Sequence, residues 1–434
     1  MGVDIGSTSI KGALLDLDSG TISHIIREPF PDPAPGLPPQ HFEVDPHQVV
    51  KRVTQVIESL IEQAPEATSV MFSSQMGGIL LVNSQGKPLT NYLSWRDQRT
   101  TIPGVDGGPT PLENLRSRWD DSMFQDIGRE LKPGSATSLL FWLAENSLLP
   151  EKAIPLTIGD FVTSRLCGSS PAIERTQTIG MLNLKTGGWH HEAFSAIGID
   201  GLHWPQLIDS QQSVGKLTLN GRELTVYSAV GDQQAALRGI DLAADELSIN
   251  VSTGSQVSQI TDTFQPADCQ TRTWFGGRYL NTITHIPAGR SLSVLEALLT
   301  ELPRRAGVSV PNSWQLLADE ASKPNSGGLI VDLSFFASAT GSMGRIEGIT
   351  TENLTVGNLF DAALEFMADS YLQCSQRLSP RPSWKRLTIS GGLVQSFVTL
   401  RKKLNDRFQL PLRESVEQEE TLLGLLKLAR GQHE

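Results

Sequence analysis

At 434 residues the chain is too long for a single hydrophobic core and fits two large domains. An apolar content of 39% and a charged content of 19% describe an ordinary globular protein, and a net charge of −11 argues against non-specific binding to nucleic acid or to an anionic membrane, although a phosphate site can still be locally positive. Cys167, Cys269 and Cys374 are odd in number, far apart and in no metal-like spacing, which disfavours a disulfide framework and favours a reducing compartment. Without a basic-then-apolar leader or an 18-residue apolar run, the expected location is cytoplasmic.

Residues 3–16 read as strand, tight turn, strand: Val3 and Ile5 alternate with Asp4, and Ala13-Leu14-Leu15 is apolar again. In the turn, Gly6 lets backbone approach a ligand closely, and the hydroxyls and N–H groups of Ser7, Thr8 and Ser9 form a concave donor set suited to phosphate. Asp4 is placed to hold a metal ion beside that phosphate, and Lys11 adds a cation on the far side. A plain hairpin with a Ser/Thr turn fits the same residues. Only three residues precede Asp4, so either the chain begins earlier or the strand is held mostly by its neighbours.

A Pro-rich loop over 29–39 cannot be helix or central strand, and Asp45-Pro46 then starts a helix with Val49, Val50, Val53, Ile57 and Ile61 on its apolar face. The strand 69–74 ends in Gln75-Met76-Gly77-Gly78, a Gly-rich turn of the kind that presents ligand-binding groups in α/β sheets. Ile79 to Val82 predicts a further strand. Trp95, Arg96, Asp97 and Arg99 fall within one short segment, able to stack on and hydrogen-bond a polyol or to form a structural ion-pair cluster. Residues 100–125 read as loop, with helices expected around 137–146 and 160–167. Gly187 to His191 reads as a turn, and its adjacent histidines point in different directions, against a metal site.

The strand 226–230 runs into Gly231-Asp232-Gln233-Gln234 and a helix start. Asp232 fits a structural helix cap and equally a base that accepts a proton from a bound hydroxyl. Residues 247–260 then repeat the opening pattern of strand, Ser/Thr/Gly turn and strand about 245 residues later, as a duplicated nucleotide-binding fold would. That repeat favours the phosphate reading of the first hairpin and places a boundary near residue 240. In the second half Gly289 precedes a helix over 292–302, residues 320–328 read as loop, 328–336 as a buried strand, and 356–377 as a helix. The strand 386–390 delivers Gly391 and Gly392 to a helix start, where backbone can approach a flat or anionic ligand. Neither a P-loop nor a Rossmann fingerprint is present.

In their order along the chain, Asp4 to Lys11, Ser74 to Gly78, Trp95 to Arg99, Gly231 to Ala236, Ser252 to Ser255 and Ser390 to Gly392 resemble the FGGY carbohydrate kinases of the actin-like ATPase superfamily. Within the family, Gln75 to Gly78, Thr157 to Phe161 with Leu166 to Gly168, and Ile249 to Val257 look most like sedoheptulokinase, while the sugar-site pieces also suit xylulose and ribulose kinases. Two departures stand out: Gly77 where family members often carry His, and Ala339 to Arg345 where many carry Gly-Glu-Arg.

The resemblance implies an α/β protein of two ribonuclease-H-like domains with mixed central sheets around an interdomain cleft, residues 1–240 binding the sugar and 241–434 the nucleotide. It implies ATP and Mg²⁺ as cofactors and a ketose, sedoheptulose first, as the acceptor. Asp232 would be the general base and Asp4 the metal's anchor. Gly6, Ser7, Thr8, Lys11, Thr253 and Gly254 would bracket the phosphates, while Gly289, Gly391, Gly392 and Ser396 would border the nucleoside. Gln75, Met76, Gly77, Trp95, Asp97 and Gln233 would line the sugar. The sugar and ATP are the expected partners, with no nucleic acid or membrane and a homodimer left open. The rival readings are another polyol kinase of the family, a sugar-binding regulator that has lost catalysis, and a chaperone- or actin-like ATPase.

Overall fold

In the computed structural model residues 1–323, 327–379, 381–415 and 418–431 are described. The N-terminal sheet is built from β1 (Gly2–Ile5), β2 (Ser9–Asp16), β3 (Thr21–Pro29), β4 (Ser69–Ser74), β5 (Ser213–Leu219) and β6 (Arg222–Gly231). Its spatial order is β5-β6-β4-β1-β2-β3. β1, β2 and β3 form an antiparallel meander, while β1, β4 and β6 run parallel. Parallel strands are covered on both faces, which is why β1 and Val70-Met71-Phe72 are buried throughout rather than alternating.

The crossover from β3 to β4 carries α1 (Pro46–Gln63). Asp45 caps it by accepting the His47 N–H at 2.9 Å, with Pro46 at the first helical position. Val49, Val53, Val56, Ile57, Leu60 and Ile61 form its buried face. The helix lies so close to the sheet that a Cβ on Gly12 would come within 2.3 Å of Val56. After β6, α3 (Asp232–Gly239) leads out of the sheet; α2 (Ile158–Cys167), capped by Thr157, packs on the same sheet as α1.

The C-terminal sheet repeats the plan. Its strands are β7 (Glu246–Val251), β8 (Ser255–Thr261), β9 (Gln270–Thr273), β10 (Tyr279–Ile286), β11 (Arg386–Ser390) and β12 (Leu412–Glu414), in the order β9-β10-β8-β7-β11-β12. β7, β8 and β10 are antiparallel, and β7, β11 and β12 parallel. α4 (Gly289–Arg305) and α5 (Val356–Leu378) lie between the two sets, and α5 buries Phe360, Leu364, Met367 and Tyr371 in the core of this half. The expected α/β class and paired mixed sheets are therefore present, and the second phosphate-type hairpin, β7–β8, is the counterpart of β1–β2.

The last helix, α6 (Glu420–Arg430), departs from a division at residue 240. It returns to the N-terminal half, where Leu422, Leu425 and Leu428 pack with Ala13, Met71, Val230 and Ala235. It crosses α3 at two glycines: a Cβ on Gly424 would sit 1.9 Å from the Ala235 carbonyl oxygen, and one on Gly239 1.9 Å from that of Glu420. An apolar periodicity shows that a helix has a face to bury, but not which sheet receives it.

Other expectations change locally. The segment 100–125 contains two helices, Pro111–Arg118, opened by a Thr110–Glu113 capping box, and Asp121–Asp126. Gly187 to His191 belongs to a small hairpin, Leu182–Asn183 with Gly188–Trp189, followed by a helix that His190 caps through its ring nitrogen. The strand over 328–336 shrinks to Ile330–Asp332, with Ile330 exposed. Of the loop at 320–328, residues 324–326 lie outside the described residues, and its start is the end of the helix Ser313–Ala321. No helix among the described residues is long and apolar enough to cross a membrane.

Candidate active site

Strand register brings the two key carboxylates together. Ile5, Ser74 and Gly231 share a row at the carboxyl ends of the neighbouring parallel strands β1, β4 and β6. That edge is where open α/β sheets present ligand-binding groups, and a strand spacing of about 4.8 Å leaves β1 and β6 roughly 10 Å apart. Asp4 sits one residue before the row and Asp232 one after it.

Asp4 is buried, and the Ser73 hydroxyl donates to its Oδ1 at 2.9 Å. Loss of water pushes its carboxyl up to about 6; the Ser73 bond and the Lys11 charge pull it back, and the Glu419 charge adds to the rise. Asp232 keeps a partial opening to solvent and accepts the Gln233 N–H at 2.8 Å. Desolvation by the surrounding protein, then the charge of Asp4, push it up to about 7, against the Gln233 N–H and the Arg272 charge. A carboxylate held near neutrality is matched to the work of a general base. The turn bearing it is itself fixed: the Thr176 hydroxyl accepts the Gly231 N–H at 2.7 Å and donates to the buried Glu174.

Beside Asp4, the first turn closes by a Gly6 N–H bond to the Ser9 carbonyl at 3.1 Å. A Cβ on Gly6 would approach that oxygen to 2.9 Å. Ser7 is half-buried and Thr8 exposed, at the rim of the turn. Lys11 is not directed at the turn alone: its Nζ lies 3.0 Å from Glu419 Oε2, and Arg27 binds the other oxygen of the same carboxylate. The phosphate cation expected at Lys11 is thus tied to the residue that opens α6.

Gln75, Met76, Gly77 and Trp95 gather above the Asp232 turn. Gln75 is buried, donating to the Gly6 carbonyl at 3.4 Å while its Oε1 has no partner. A Cβ on Gly231 would meet the Met76 sulfur at 2.4 Å, and one on Gly77 the Trp95 Cβ at 3.1 Å. Gly77 has φ +79°, suiting glycine, and its carbonyl accepts the Tyr92 hydroxyl at 3.1 Å. Trp95 is 42% exposed, leaving ring surface for a ligand.

Two residues expected at the sugar face elsewhere. Asp97 is wholly buried, and both its oxygens are consumed: Arg99 binds them at 2.9 and 2.8 Å, and the Phe42 N–H at 2.6 Å. Its role is to fold the Trp95 loop, the structural alternative open in the sequence. Gln233 turns its amide to the C-terminal sheet, donating to Gln256 and Thr282, each at 3.2 Å.

Across the cleft, the residues expected at the nucleotide cluster on the turn after β7. The N–H groups of Gly289 and Arg290 donate to the Ser252 and Thr253 carbonyls at 3.1 and 2.8 Å. A Cβ on Gly391, whose φ is +98°, would lie 2.3 Å from the Val251 carbonyl. Thr253 and Gly254 form the open end of that turn; Gly392 has free space around it, and Ser396 stands exposed one helical turn on. The sequence reading missed Tyr92, Glu130, Thr176 and Arg272. They lie outside the Gly-rich turns, and their only signal is a polar residue in an otherwise unremarkable segment.

Residues 1–239 match the model of the FGGY family of carbohydrate kinases, N-terminal domain. Glycerol kinase of Thermococcus onnurineus is 26% identical over 252 residues, 55% of this chain and 49% of that protein, so the chain spans about half the length of that relative. Sedoheptulokinase of Mus musculus is 22% identical over 358 residues, covering 72% of this chain and 71% of that protein. The crystal structure of xylulose kinase from Rhodospirillum rubrum superposes with a TM-score of 0.86 at 19% identity over 99% of this chain and 89% of that one, a likeness of fold. With the family match extending over more than half of the chain and the two-sheet architecture in agreement, the chain belongs to the FGGY family of carbohydrate kinases.

Proposed function

We propose that the protein transfers the γ-phosphoryl group of ATP to a primary hydroxyl of a ketose, with sedoheptulose as the first candidate. The observation that carries this reading is the Asp4–Asp232 pair, set at one strand edge between two Gly/Ser/Thr hairpin turns. Phosphoryl transfer needs little covalent help from the protein, so positioning and charge stabilisation dominate. Asp232 takes the proton of the attacking hydroxyl, and its upward-shifted carboxyl favours that transfer near neutral pH. The Trp95 face and the Gln75–Gly77 turn orient the sugar against Asp232. The turns at 6–8 and 253–254 offer N–H and hydroxyl donors to the phosphates. Gly392 and Ser396, with open space beside them, border the nucleoside together with Gly289 and Gly391, which pack on the backbone of the turn after β7.

The donor set also fits Mg²⁺: Asp4 is a buried carboxylate at the strand edge, its Oδ1 accepting the Ser73 hydroxyl, and a hard cation held partly through water suits an oxygen donor of this kind. When bound, Mg²⁺ neutralises the β- and γ-phosphates. A cytoplasmic location accords with ATP use. Sedoheptulose leads because the mouse sedoheptulokinase match extends over both halves of this chain.

A coupled ADP-release assay over sedoheptulose, xylulose, ribulose, glycerol and gluconate tests the reading. Sugar-dependent ADP release with sedoheptulose preferred is the expected result. Preference for another sugar overturns the substrate, and ADP release that ignores every sugar overturns the kinase.

A further inference from the structure

The two halves meet at a buried ion pair that none of the site's motifs contains. Glu130 belongs to the N-terminal half, between the helices Asp121–Asp126 and Ala136–Glu145; Arg272 lies on β9, the edge strand of the C-terminal sheet. Arg272 Nε stands 2.5 Å from Glu130 Oε1, and the two side chains are only 9% and 2% exposed. Burying two charges is costly unless their geometry is fixed and their remaining hydrogen-bonding capacity is used. Here it is used on the catalytic turn, because Arg272 Nη1 donates to Gln233 Oε1.

Gln233 is the residue after Asp232, and its own N–H holds the Asp232 carboxylate at 2.8 Å. Its amide nitrogen reaches Thr282 and Gln256 on the C-terminal sheet. Neighbouring bonds fasten the same junction: the Thr271 N–H donates to the Gly128 carbonyl at 2.9 Å, and Lys132 Nζ to Thr284 Oγ1 at 2.6 Å. Gly128 has φ +72°, and a Cβ there would collide with the Thr271 oxygen at 2.0 Å, so only glycine admits the edge strand this closely.

We infer that Glu130 and Arg272 are positioning residues that act through Gln233, so that the Asp232 carboxylate is held for proton removal only while the two halves are closed on each other. Were the halves to part, Gln233 would lose its Arg272, Gln256 and Thr282 partners together; Thr176 would still hold Gly231, but the residue whose N–H positions the Asp232 carboxylate would no longer be anchored to the C-terminal sheet. Closure then does more than exclude water: it completes the base.

The inference rests on the kinase reading. A wild-type protein that releases no ADP with any sugar fails that reading; wild-type turnover with unchanged variants fails this one alone. The variants are Glu130→Gln, Arg272→Gln, their double combination, and the apolar pair Glu130→Leu with Arg272→Met, which removes both charges without orphaning either. Each single change is expected to lower kcat about 10- to 100-fold, as small misplacements of reacting groups do, with the KM for ATP within about twofold of wild type. The double change is expected to be no worse than either single one, because both act through one chain of contacts. The apolar pair is expected to fold, by its thermal unfolding, and still to lose kcat. A folded apolar pair with wild-type kcat, or losses that multiply in the double variant, overturns the inference. If removing the charges prevents folding, Glu130→Asp, which keeps the charge and shortens the arm, decides by the same split of kcat from KM.

Discussion

Buried carboxyls do two kinds of work in this protein, and their partners distinguish them. Asp232 and Asp4 lie at the open edge of the sheet, whereas Asp160 is enclosed in α2, where Oδ1 accepts the Glu174 N–H at 3.0 Å and Oδ2 faces the Thr157 hydroxyl at 2.5 Å. Burial pushes the Asp160 carboxyl from the ordinary 3.8 up to about 7. The folded state therefore prefers the protonated form. The stability this contributes is present below the unfolded value and is lost as pH rises through about 7. Asp160→Asn keeps an acceptor for the Glu174 N–H and a donor for Thr157 without a charge. Its stability relative to wild type, from urea unfolding, is expected to rise between pH 4 and 8 by about 1–4 kcal/mol. A difference that stays flat over that window contradicts the assignment.

At the scale of elements, the hairpins were legible because their turns need particular residues: Gly6 and Gly254 each interrupt an alternating strand with Ser and Thr beside them. The Asp45-Pro46 start of α1 was equally plain, since cap and first-turn proline are local chemistry. What could not be read was the use to which a side chain is put across the fold. Asp97 reads as a sugar ligand until Arg99 and the Phe42 N–H claim its oxygens, and Lys11 as a phosphate cation until Glu419, some 400 residues on in the chain, is brought beside it. Helix Pro111–Arg118 escaped notice because it buries little beyond Leu115, so periodicity is weak and the signs are confined to its start, the Thr110–Glu113 box with Pro111 at the first helical position. The α3–α6 crossing was also hidden, since Gly239 and Gly424 show their necessity only when packed. Gly424→Ala forces a methyl into the Ala235 carbonyl and is expected to cost about 1–3 kcal/mol or more of stability. Gly201→Ala, with free space around it, is expected to unfold as wild type does. Equal midpoints for the two variants contradict the crossing.

For the whole molecule, a repeated sheet plan gives two halves, each with a hairpin turn at its parallel strand edge. Among the contacts that couple them, α6 returns from the C-terminal half to cover the N-terminal sheet, and the Glu130–Arg272 pair joins the edge strand to the Asp232 turn through Gln233. The departures noted in the sequence, Gly77 and the 339–345 segment, leave the carboxylate pair and both turns intact. The proposed phosphoryl transfer rests on one side chain more than any other, Asp232. The most direct test is Asp232→Asn, measured for sugar-dependent ADP release and for ATP affinity in the same preparation. A loss of kcat of about 10²- to 10⁴-fold with ATP affinity within about twofold of wild type is the predicted result. Turnover within tenfold of wild type would show that Asp232 is not the base.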